Sequence, residues 1–205
     1  MTLALLALLA HAQEADYQLN ASASTLYVVV LKDPSTFAAG QAHDHAVGAT
    51  GWSGTVHWDP ANLSACKVHF SVPISGLRVD PAGYRTRAHL DPAEVSDADK
   101  ATIAANFSGK NQLDARSFPS IQFDSSGCIQ SGAKVTVTGN LNMHGKSRPT
   151  TVSMSVTADG TAFKASGAFD ANHTDWGFDP FSAFFGAVKN LNKLTFVIDV
   201  VGAKI

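Results

Sequence analysis

Five stretches of this chain alternate apolar and polar residues with a period of two, and that repeat restricts the fold more than any other feature. Cys66, Val68, Phe70, Val72 and Ile74 face one way, with Lys67, His69, Ser71 and Ser75 opposite. Val135, Val137, Leu141 and Met143 repeat the pattern against Lys134, Thr136, Thr138 and Asn140. It returns in Val152–Met154–Val156, in Phe163–Ala165–Gly167–Phe169 and in Leu194–Phe196–Ile198–Val200. Such alternation marks strands with one face buried and one solvated. Ile121 and Phe123 make a shorter member, and Trp52, Gly54, Val56 and Trp58 another. Tyr27 to Leu31 is apolar throughout, which predicts a strand covered on both faces or packed at a partner. Asp59-Pro60, Asp80-Pro81, Ser126-Gly127, His144-Gly145 and Asp159-Gly160 supply turns between the runs.

The result is an all-β chain of about eight to ten antiparallel strands, a sandwich or a barrel. One segment departs from it. Residues 92–116 lack alternation; Ser96 with Asp99 three positions on resembles a helix N-terminus, and Ile103 and Phe107 share one helical face. They predict a short helix near 97–107 and a second turn around Asn111–Arg116, closed by Pro119. A strand barrel carrying one helical insert is the architecture inferred. A closed sheet of about eight strands encloses either packed side chains or one small ligand. Its inward set here is Val, Phe, Leu, Ile and Met, and the interspersed Gly and Ala leave room for an elongated apolar ligand.

Composition removes several functions. Only 16% of the residues are charged and the net charge is −2, so there is no electrostatic footprint for nucleic acid. Residues 2–10 (TLALLALLA) are far too short to span a bilayer, and no later segment does so. With Ala10-His11-Ala12 as a small-x-small site, residues 1–12 read as a secretory signal peptide ahead of a single domain over 13–205. Two cysteines, Cys66 and Cys128, suit one disulfide in a periplasmic or secreted protein. The chain carries no G-x-S-x-G, P-loop, G-x-G-x-x-G or H-E-x-x-H motif, so it is read as a non-enzyme.

The ordered motifs resemble a known family. Phe118-Pro119-Ser120-Ile121-Gln122-Phe123 is similar to the strand entry that follows the helical insert of the YceI-like family. Gly139 to Pro149 (GNLNMHGKSRP) is similar to its hairpin, and Asp175-Trp176-Gly177 to its later turn. Gly54-Thr55-Val56, the segment Val68 to Asp80, and Phe196 to Val200 fit its other strands. The resemblance covers roughly residues 16–203. It implies a lipocalin-like antiparallel barrel with an apolar lumen for an isoprenoid or another long amphiphile. It also implies no catalytic apparatus, no required cofactor, a periplasmic or secreted location, and room for a homodimer. Where the family often has an aromatic segment near the first hairpin, this chain has Ala42-His43-Asp44-His45-Ala46-Val47.

The candidate lumen residues are Val68, Phe70, Val72, Phe123, Val137, Leu141, Met154, Phe163 and Phe196, with Trp176 added as a stacking residue. The candidate rim is His43, His45, Arg85 and Arg87. Arginines suit a carboxylate or phosphate head. His43 and His45 fall on one face of a strand; a polar rim is the reading adopted, and a metal site would need His57, His69 or His173 as a third ligand. Phe178, Phe181, Phe184 and Phe185 form a lid over the mouth or a dimer patch. The competing readings are a metal-binding protein built on the histidines, or an interaction module whose filled barrel presents the aromatic loop.

Overall fold

The computed structural model describes residues 14–92 and 95–205; the signal peptide expected at 1–12 lies outside the described residues. Twelve strands follow one another: β1 (Ala15–Leu19), β2 (Thr25–Lys32), β3 (His45–Ala49), β4 (Ser53–Trp58), β5 (Lys67–Pro73), β6 (Leu77–Val79), β7 (Ser120–Ser131), β8 (Lys134–Met143), β9 (Lys146–Ala158), β10 (Ala162–Asn172), β11 (Ser182–Ala183) and β12 (Val188–Lys204). Two helices, α1 (Tyr84–Arg87) and α2 (Asp97–Ser108), lie between β6 and β7.

All pairings are antiparallel, and β1-β4-β5-β7-β8-β9-β10-β12 closes on itself as an eight-strand barrel. The larger strand count has a simple cause. β1 and β2 both pair with β12, β3 pairs with β2 while β4 pairs with β1, and β6 pairs with β3 while β5 pairs with β4. Three staves of the barrel are therefore each broken once, at residues 20–24, 50–52 and 74–76, which turns eight staves into eleven strands; the two-residue β11, paired only with β12, is the twelfth.

The breaks matter because they open a seam. β5 pairs with β7 only as far as Pro73 opposite Ser120, and the Ile74 N–H then donates to the Pro119 carbonyl. Beyond that point β6 bends away to join β3. The insert spans the gap. The Ser96 hydroxyl accepts from the Asp99 N–H and caps α2, as the sequence predicts. α1, at Tyr84–Arg87, carries no periodic signal and was not among the expected elements. It covers the outer face of β2: Tyr27 packs edge-on against Tyr84, with ring centres 5.6 Å apart. Only glycine fits beside them, because a Cβ on Gly48 would lie 2.7 Å from the Tyr84 ring. The apolar Tyr27–Leu31 run is thus explained by cover on both faces, with Leu26, Val28 and Val30 turned inward.

One end of the barrel is a packed floor. Tyr17, Trp58 and Phe163 fill it, with ring centres 5.4 and 6.0 Å apart, beside Val56, Val135 and Val200. Cys66 and Cys128 form a disulfide there with Cα atoms 5.7 Å apart, tying the start of β5 to β7. The inward glycines are not open space. A Cβ on Gly139 would meet the Phe123 ring at 2.5 Å, and one on Gly167 the Met154 sulfur at 2.5 Å. Phe123 and Met154 lie across them, so the expectation that small residues leave room does not hold at these positions.

Candidate functional site

Space remains in the other half of the barrel, in two adjoining chambers of about 130 and 260 Å³. Val28, Val47, Leu77, Ile121 and Phe196 border both, so they form the waist at which the two chambers meet. The inner chamber is apolar. Val68, Phe70 and Val72 of β5 face Phe123, Val137, Leu141 and Met154 across it, and Phe169 stacks on Phe196 at 4.7 Å. Strand alternation puts every one of these side chains on the inner face, as the period-two reading expects.

The outer chamber lies under the insert. Ile103 and Phe107, one α2 turn apart, line it together with Leu113. Its wall also carries polar groups: His43, His45, Asn106, Gln112, His173 and Asn190. No Asp, Glu, Lys or Arg lines either chamber among the described residues.

Two histidines are fixed in this wall. His45 is buried, and its Nδ1 lies 2.8 Å from Asp80 Oδ2. Asp80 Oδ1 accepts the Ala46 N–H at 2.8 Å, and Oδ2 also accepts from Arg85 Nη1 at 3.1 Å. Burial by itself raises the Asp80 pKa. The His45 hydrogen bond, the Ala46 N–H and the charges of His45 and Arg85 outweigh it, so the carboxyl sits below its ordinary range. This fixes the ring orientation of His45. His173, in the turn after β10, pairs through Nδ1 with the Asn192 carbonyl at 2.9 Å and packs edge-on against Phe178. Burial pushes its pKa down, partly offset by that hydrogen bond, so the imidazole is neutral at pH 7.

The structure separates the remaining candidates. Phe163 belongs to the floor and lines neither chamber. Trp176 is 1% exposed, donates from Nε1 to the Leu141 carbonyl and lies in the wall behind the lumen, so it does not face the chambers. Arg85 is also not a lumen group. Its guanidinium donates to Asp80 and to the carbonyls of Asp44 and Asp91. Arg87 is exposed and lines neither chamber. Phe178 and Phe181 line the outer chamber, whereas Phe184 and Phe185 project into solvent.

His43 and His45 stand 6.3 Å apart between ring centres. His57 and His69 are on the outer surface near the floor, paired with Asp16 and Asp124 at 2.8 and 2.7 Å, so neither can join them. Among the described residues, His173 is the one further histidine in their chamber. No group of three or more His, Cys, Asp or Glu suited to a metal occurs among the described residues. Sequence reasoning passed over Asn106, Gln112 and Asn190. The first two sit in the non-periodic insert and the third at the irregular start of β12, and none has a local pattern to mark it.

Among solved structures, the chain is similar to BcnA of Burkholderia cenocepacia, at 17% identity and a TM-score of 0.63, covering 89% of this chain and 98% of BcnA. It is also similar to the YceI protein of Campylobacter jejuni, at 16% identity and a TM-score of 0.52, covering 77% and 82%. A mutant of that protein holds monobromobimane as a guest. At such identities the likeness speaks to the barrel alone. No curated protein matches the chain. The YceI-like domain matches residues 17–201, nearly the whole length that the barrel occupies, and the chain therefore belongs to the YceI-like family.

Proposed function

We propose that this protein binds and carries a long apolar or amphiphilic molecule, an isoprenoid or another lipid, with its tail in the inner chamber and its head in the outer one. The carrying observation is the pair of adjoining chambers, the inner one apolar and the outer one, under the insert, carrying polar groups. Burial of the tail supplies the affinity, at roughly 25 cal/mol per Å² before association costs. The head it suits is neutral and oxygen-bearing. His45, His173, Asn106, Gln112 and Asn190 offer hydrogen bonds, and among the described residues no Lys or Arg lines the chamber to meet a phosphate. In this reading the fixed imidazoles orient a ligand head, and the protein acts as a carrier. Export to the periplasm or beyond is part of the proposal, supported by the apolar run at 2–10 and by the disulfide. No helix among the described residues is long and apolar enough to cross a membrane.

The test is native mass spectrometry of gently purified protein, paired with uptake of a fluorescent apolar probe. A bound species of several hundred daltons, released on denaturation, is expected. Val47 borders both chambers, so Val47→Trp fills the waist and is expected to reduce probe affinity at least tenfold while the barrel stays folded. A folded V47W variant that takes up probe like the wild type would overturn the lumen as the binding site.

A further inference from the structure

Three phenylalanines project from the mouth end and are uncovered among the described residues: Phe37 is 99%, Phe184 77% and Phe185 113% exposed. They belong to two loops joined as one unit. The Ala38 N–H donates to the Ala187 carbonyl at 2.9 Å, and the Asp33 N–H to the Lys189 carbonyl at 2.7 Å. β11 folds back on the start of β12, which puts Phe184 and Phe185 at a hairpin tip. Both adopt left-handed backbone, with φ of 51° and 57°, a conformation that bulky residues seldom take. The hairpin thus holds both rings outward.

The chemistry of the two loops is uniform. Residues 34–43 and 180–188 contain no Asp, Glu, Lys or Arg. Lys189 stands at their base and is exposed. The same loops supply Ala42, His43, Phe181 and Val188 to the outer chamber, so the exposed rings flank its mouth.

We propose that this ridge docks on a lipid bilayer, with Phe37, Phe184 and Phe185 inserted at the headgroup–acyl boundary and the mouth facing the membrane. An uncharged tip can enter that boundary without burying an unpaired charge, and Lys189 reaches back to phosphate level. A few projecting rings fit a deformable surface better than a rigid partner, which requires a matching pocket for each. The docking rests on the carrier reading for its purpose, since an apolar ligand passes between lumen and bilayer without crossing water. It is measured independently of that reading.

The experiment uses ligand-stripped full chain and vesicles of phosphatidylcholine containing brominated acyl chains and no isoprenoid. Trp52, Trp58 and Trp176 are buried, so an F184W variant gives a local reporter even if residues 2–10 bind lipid on their own. Its emission is expected to shift to the blue and be quenched by the brominated chains. F37S/F184S/F185S, which alters only exposed rings, is expected to lower vesicle partitioning at least tenfold while unfolding temperature and probe uptake from detergent stay unchanged. An F184W emission indifferent to millimolar lipid would overturn docking. So would a micromolar dimer, seen by sedimentation equilibrium and dissolved by the triple serine variant, with no vesicle response. Failure of probe uptake from detergent would sink the carrier reading alone.

Discussion

Replacing Asp80 by Asn tests the wall of the outer chamber with little disturbance to the backbone. Asp80 has a φ of 45°, a left-handed conformation that Asn accepts at least as well as Asp, so the change isolates the charge. The carboxylate is 1% exposed and serves three partners: the Ala46 N–H, His45 and Arg85. Breaking a buried pair from one side costs about 3–5 kcal/mol. Part of that is recovered here. Asn can still accept the Ala46 N–H, and Arg85 keeps its bonds to the Asp44 and Asp91 carbonyls, so its charge is not stranded. We expect D80N to lose about 2–3 kcal/mol at pH 7, the remainder after those bonds are retained. Urea unfolding with the disulfide intact measures it. The pH dependence supplies the sharper check. The folded pKa of Asp80 lies below its unfolded value of 3.8, so its contribution is complete above pH 3.8 and is lost as pH falls through the folded pKa. Wild type and D80N should therefore converge in that acid range. A loss under 0.5 kcal/mol at pH 7, or a difference that persists undiminished in acid, would refute the network as described.

Two further predictions concern the floor and the outer chamber. The disulfide closes a loop of 62 residues, so C66A/C128A should lose about 4 kcal/mol by the chain-entropy relation, read from urea midpoints in oxidising buffer. A loss below 1 kcal/mol would mean that the strand pairing alone holds the floor. Burial lowers the His173 pKa below 6.5, so the stability of the neutral form is complete above that pH and is lost as pH falls through the folded value. Relative to H173Q, the wild type should weaken progressively below pH 6.5; a pH-independent difference would show that His173 titrates as if exposed.

The residues legible in sequence were those whose role follows from the face they occupy. Val68, Phe70, Val72, Phe123, Val137, Leu141, Met154 and Phe196 line the inner chamber because alternation alone turns them inward. Ile103 and Phe107 reach the outer chamber because four positions make one helical turn. Alternation says which face a side chain takes but not its height along the stave. Phe163 has the same phase as Phe169, yet it packs in the floor while Phe169 lines the lumen. Arg85 fails for another reason. Its partners Asp44 and Asp80 meet it only because β3, β6 and α1 converge, and no short-range pattern encodes that meeting.

The same distinction explains why this barrel is hollow on one side. Inward glycines do not make the space, since Phe123 and Met154 occupy what Gly139 and Gly167 leave. Inward bulk does not prevent it either, since Phe70, Phe123, Phe169 and Phe196 all border the inner chamber. The floor and the mouth differ in closure. At the floor β1 bridges β4 and β12, and the staves draw together around Tyr17, Trp58 and Phe163. At the mouth β6 leaves β7 to follow β3, and α2 with residues 109–118 spans the width that a strand would otherwise occupy. A helix stands farther from its neighbours than a hydrogen-bonded strand, which sits only about 4.8 Å away. The outer chamber lies between that helix and the sheet, so the insert sets its volume while the strands set the depth and polarity of the lumen. Of the polar groups in the outer chamber, Asn106 and Gln112 come from the insert, whereas His45 and Asn190 come from strands. On the proposed carrier reading, substitutions at Asn106 and Gln112 are therefore expected to alter head-group choice without touching the inner chamber.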